Sequence, residues 1–184
     1  QFGLENIYDH YLSEGAANRM NVYLKEKWEK PGSRYHVMKG MFSCLHKLEA
    51  LSADWPGKVR HYEKILFGGG RKQYEALHQY RMPDKIAEQL LSYFIYVYFA
   101  GAVYDGMPYS KVKLAVISTM LIEDMVCAKA AEKGQLSFEA IADAAHSYAR
   151  EVEHSDLNLQ RLSIMFRHQK CFHIGRLCGA LLEW

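Results

Sequence analysis

The segment HSYAREVEHSDLN, running from His146 to Asn158, concentrates the side chains best suited to chemistry. His146, Arg150 and His154 recur at four-residue steps, which on a helix places them along one stripe. Glu151 lies three residues before His154, and Glu153 three after Arg150. An imidazole beside two carboxylates and a guanidinium can act as a general base with a raised pKa, or can grip a cationic substrate. The same residues also describe an ordinary surface ion-pair ladder closing on a helix C-terminus that favours histidine. A second candidate is the turn Tyr104-Asp105-Gly106. It either places a phenol and a carboxylate at a site mouth or is plain turn chemistry.

Two further clusters point elsewhere. His168, Cys171, His173 and Cys178 have the ligand types and the number of a closed zinc site. Their spacing is not a standard one, and on a helix His173 would point roughly 200° away from Cys171. We therefore expect small apolar core thiols and no metal. Arg161, Arg167, His168, Lys170, His173 and Arg176 make the C-terminal region basic, which suits an acidic partner or nucleic acid. The net charge is only +2, so a solvated helix face is expected and no nucleic acid. Nucleotide-binding glycine loops, a G-x-S-x-G elbow and H-E-x-x-H are all absent. The Gly68-Gly69-Gly70 run has no Lys-Ser/Thr after it and is expected to act as a hinge.

The elements that must position these groups are helical. The 184 residues suit a single domain over 1–184, and 49% hydrophobic against 24% charged residues is a globular composition. Four prolines are too few for a many-turned β fold. Apolar residues at three- and four-residue steps predict helices over Leu4–Lys30, Ser33–Leu51, Asp54–Phe67, Pro83–Tyr104, Pro108–Lys133, Ser137–Glu153, Leu157–His168 and Cys171–Leu182. Arg71–Arg81 is either a short helix or a loop. The expected fold is all-α, a compact bundle of about seven helices. Leu90–Tyr104, almost wholly apolar, is expected at its centre as a largely buried helix. It falls short of the ~20 apolar residues that a membrane span needs. The four cysteines lack chelating spacing and read as reduced thiols.

Leu90–Val116 (LLSYFIYVYFAGAVYDGMPYSKVKLAV) followed by Ser147–Leu159 (SYAREVEHSDLNL) resembles the C-terminal half of the flagellin lysine-N-methylases. Ala102–Gly106 and Arg150–Ser155 are the most specific parts, and the similarity covers Pro83 to about Leu162. The resemblance implies a bacterial, cytoplasmic enzyme that transfers methyl groups from S-adenosylmethionine to lysine ε-amines of flagellin. It also implies an N-terminal cysteine-rich module associated with an iron–sulfur cluster, which this chain lacks. The chain, starting at Gln1 without an initiator Met, is therefore expected to be the C-terminal part of a longer protein, partnered by its own N-terminal metal-binding domain and inactive alone.

A lysine ε-amine with a pKa of ~10.4 must lose its proton before it can attack a methyl group. Tyr104, Asp105, Glu151, Glu153 and His154 are the residue types that would assist, with Arg150 and His146 contacting substrate. If they form one site, Tyr104, Asp105, Glu153 and His154 converge in space. A non-catalytic module that recognises flagellin, and a purely structural helical scaffold, are the alternatives.

Overall fold

The structure, a computed structural model, describes residues 13–28 and 33–183. All regular structure among them is helical, in ten α-helices: α1 (Glu14–Trp28), α2 (Ser33–Leu45), α3 (Trp55–Phe67), α4 (Gly70–Leu77), α5 (Asp84–Phe99), α6 (Ala102–Asp105), α7 (Pro108–Lys133), α8 (Phe138–Tyr148), α9 (Asp156–His168) and α10 (Ile174–Leu182). The all-α expectation holds. The count exceeds seven because Gly70–Leu77 is helical and because Ala100-Gly101 splits off a single turn, α6. The apolar positions Leu4, Ile7, Tyr8, Tyr11 and Leu12, and the Pro31-Gly32 stop, lie outside the described residues.

The predicted centre is displaced by one helix. Within α5 only Phe94 and Tyr98 are buried, while Tyr96 is 84% exposed and Tyr93, Ile95, Val97 and Phe99 also face solvent. The central element is α7, which buries seventeen of its 26 residues and packs against α5, α8, α9, α3 and α2. Hydropathy misleads here because α7 mixes Leu114, Ile117, Leu121 and Met125 with small residues and with Glu123 and Asp124. Its two carboxylates are buried only because Arg34, from α2, pairs with both. Each fully buried aliphatic or aromatic side chain contributes roughly 1.5–3 kcal/mol, so α7 anchors the core.

Local signals set the boundaries. Ser137 and Ser155 accept from the backbone N–H groups of Ala140 and Asn158 and cap α8 and α9. Pro56 sits in the first turn of α3, where a missing N–H is harmless. Gly68 and Gly69 form the short turn between α3 and α4, which Gly70 begins. Gly70 adopts φ +78°, a conformation that strains any side chain. The four cysteines form no disulfide: Cys44 and Cys127 are buried, Cys171 and Cys178 partly so. Among the described residues no group of three or more His, Cys, Asp or Glu is arranged to hold a metal ion, and no helix is long and apolar enough to cross a membrane.

Candidate functional site

Asp105 ends the one-turn helix α6, and Gly106 follows at φ +67°. That left-handed step turns the chain so that Asp105 Oδ1 accepts from Met107 N at 2.9 Å. Its Oδ2 lies 2.8 Å from Lys111 Nζ on the first turns of α7. The Lys111 ammonium, more than the Met107 amide, holds the Asp105 carboxyl below its usual range, so it is anionic at neutral pH. A cleft of about 510 Å³ opens here between the start of α7 and the outer face of α9. Asp105, Lys111, Asp156, Gln160 and Arg167 give it two carboxylates, two cations and an amide, and Tyr98 adds a phenol. The Tyr98 hydroxyl is buried beside Tyr148 and Ser118, and burial pushes it far up, so it stays protonated. Behind it Ser118 and Tyr148 share a 2.5 Å hydrogen bond.

The His146–Asn158 segment is built differently from its expected stripe. α8 runs into a π-helical turn, Ala149–Glu153, closed by His154 N donating to Ala149 O at 3.0 Å. The wider turn breaks the four-residue phase that put His146, Arg150 and His154 on one line. Glu151 is fully buried and caps another segment: its Oε2 accepts from Leu51 N (2.9 Å) and Ser52 N (3.3 Å). Arg150 Nε covers its other oxygen at 3.1 Å. Asn158, also wholly buried, exchanges both amide bonds with the Glu49 backbone and donates to Glu151 O. Together Glu151 and Asn158 fasten the 49–52 loop to the π turn, so Glu151 is a structural clamp facing away from the cleft. Glu153 is partly exposed and accepts from Tyr93 Oη at 2.6 Å. His146 and His154 are exposed.

Of the candidate catalytic and substrate-contacting residues, Asp105 lines the cleft, and Asp156, from the first turn of α9, joins it there. Tyr104 is 93% exposed beside it. No hydrogen bond or ion pair joins Tyr104 or Asp105 to Glu151, Glu153 or His154. Sequence reading passed over Lys111 and Gln160, which sit at ordinary helix positions, and placed Arg167 only on a basic, solvated helix face. It also passed over a buried cluster in which Arg34 Nη2 meets Glu123 Oε2 and Asp124 Oδ1, each at 2.9 Å, and Tyr74 Oη donates to Asp124 Oδ2 at 2.8 Å. The available signal was the acidic pair inside the apolar run MLIEDMVCAKAA.

The four thiols do not suit an iron–sulfur cluster, which needs several converging thiolates. Cys44 and Cys171 share one neighbour, Gln169, while Cys127 is buried apart from them in α7.

Compared with known proteins, residues 1–180 match the family model of the FliB lysine N-methylase C-terminal domain. No curated protein and no solved structure matches.

Proposed function

Because the chain belongs to the FliB lysine N-methylase C-terminal domain family, we propose that it recognises flagellin for lysine methylation and that the Asp105 cleft receives the lysine side chain. The observation that carries this reading is the Asp105 carboxylate, held anionic at the mouth of a cleft of about 510 Å³. An incoming ε-ammonium exchanges with Lys111 for that carboxylate, and Asp156 adds a second negative charge. Leu114, Leu159 and Ile164 line the same cleft and suit the four-methylene stem.

The same electrostatics limit what Asp105 does. A carboxylate held below its normal range is a weak base, so Asp105 binds and orients the lysine without deprotonating it. Tyr98, kept neutral by burial, can donate a hydrogen bond but cannot take a proton. The methyl donor we propose is S-adenosylmethionine, whose sulfonium supplies an electrophilic methyl. Its binding, like that of an iron–sulfur cluster, is assigned to the longer enzyme and to no residue set of this chain. This reading makes the chain the module that presents the lysine, with the methyl transfer completed together with the rest of the enzyme.

The test compares flagellin with lysine-acetylated flagellin, in which the ammonium is gone. Flagellin should bind the chain, and either acetylation or Asp105→Asn should weaken binding about tenfold, with no further loss when both are combined. Equal binding of acetylated and unmodified flagellin would overturn the assignment.

A further inference from the structure

Arg167 has a second face. Beyond it, a separate cleft of about 380 Å³ is walled by Lys113, Arg167, His168, Lys170, His173 and Arg176, with no carboxylate in its lining. None of its four cations forms an ion pair among the described residues. By comparison, Lys58, Arg71, Arg81, Lys111 and Lys129 each sit on an Asp or Glu. Lys113 forms the floor: it is 8% exposed, and its Nζ donates to Phe166 O at 3.3 Å and lies 4.4 Å from the Tyr109 ring centre. Burying an ammonium against a neutral carbonyl is costly, and an anion arriving in the cleft repays it.

The donors are oriented for that anion. His173 Nδ1 accepts from Gly175 N at 3.3 Å, so in the neutral ring the proton is on Nε2, which is free to donate. Arg176 on α10 and Lys170 on the short turn Lys170–Phe172 are exposed, on opposite sides of His173 in the chain. The walls carry charge, and the phenyl rings behind them are covered. Phe166 and Phe172 pack edge to face and are buried, so neither phenyl ring offers a face to a nucleobase. Carboxylates on a flexible peptide fit this chemistry, and a nucleic acid does not.

We propose that this cleft binds acidic side chains of the protein substrate that flank the target lysine, with Arg167, which lines both clefts, as the link between the two contacts. The inference rests on the lysine-binding reading of the Asp105 cleft. Selection is then two-part: one cleft reads the cation, and its neighbour reads the anions beside it in the same polypeptide.

The test measures binding of fluorescent peptides to the full chain by anisotropy. One peptide carries three glutamates and a lysine, the second the same glutamates with the lysine acetylated, and the third glutamines in place of the glutamates. The acetylated acidic peptide should still bind, and should weaken about tenfold on Lys170→Glu with Arg176→Glu, and less on the corresponding Gln pair. Raising salt should weaken it in parallel, because the contacts are exposed ion pairs. These residues are exposed, so unchanged circular dichroism is expected for both pairs. Equal binding of the acidic and glutamine peptides overturns the inference, as does a single-stranded oligonucleotide that competes as well as the acidic peptide. Retained acidic binding without any gain from a free lysine supports this cleft and defeats the lysine-binding reading instead.

Discussion

Arg34 Nη2 lies 2.9 Å from Asp124 Oδ1, joining two helices across 90 residues of sequence with both side chains at 2% exposure or less. The bond lets α7 run through the centre of the protein although it carries two adjacent acids. Asp124 accepts from both Arg34 and Tyr74, and burial next to this carboxylate pushes the Tyr74 hydroxyl well up, so it remains a donor.

Removing Arg34 should be among the most damaging single changes. Arg34→Leu leaves Glu123 and Asp124 buried without their guanidinium, which costs about 3–5 kcal/mol. Urea denaturation checks it; a loss under about 1 kcal/mol means the carboxylates are satisfied without Arg34.

Within α5, two neighbouring aromatic positions should behave oppositely. Phe94→Ala should cost about 3–5 kcal/mol, because Phe94 is 2% exposed and stacks on Tyr98. Tyr96→Ala, at an 84% exposed position, should stay within roughly 0.5 kcal/mol. Similar losses at both sites would restore the expectation of a helix buried all round.

The π turn separates structural from dispensable groups. Glu151→Ala strands the Leu51 and Ser52 amides and should destabilise by about 1–3 kcal/mol. His154→Ala should leave the melting temperature unchanged, since the imidazole is exposed. Thermal melts of the two variants, with flagellin methylation by the complete enzyme measured alongside, divide stability from activity. Lost methylation in a fully stable His154→Ala protein would return His154 to the site.

Acid should weaken the fold through His78. Burial first, then the Arg34 charge, holds its pKa below the usual value, against smaller opposing effects of Asp124 and Glu75. The unfolded chain therefore binds a proton near pH 6.5 that the folded chain refuses. Stability is complete above that pH and falls as pH drops below it. The melting temperature of His78→Gln should decline less than that of the parent between about pH 7 and 5.5. Parallel curves would show that His78 titrates normally.

Periodicity and punctuation determined much of this protein from sequence. The helix α7 from Pro108 to Lys133, the cap at Ser137, the Pro56 start and the stop at Gly134 follow from local rules that neighbours do not override. The resemblance carried by Ala102–Gly106 and Arg150–Ser155 identified the family for the same reason, since it needs only residue order. Tertiary structure decided the rest. Phe99 and Phe94 are equally apolar, and only packing exposes one and buries the other. Glu151 and Glu153 stand two residues apart, yet one is swallowed by the 49–52 loop and the other reaches Tyr93. Asp105 acquired its meaning from Lys111 and Arg167, which converge on it because α7 and α9 pack together. Spacing along one helix encodes its faces, but which face meets a partner depends on every other helix in the bundle.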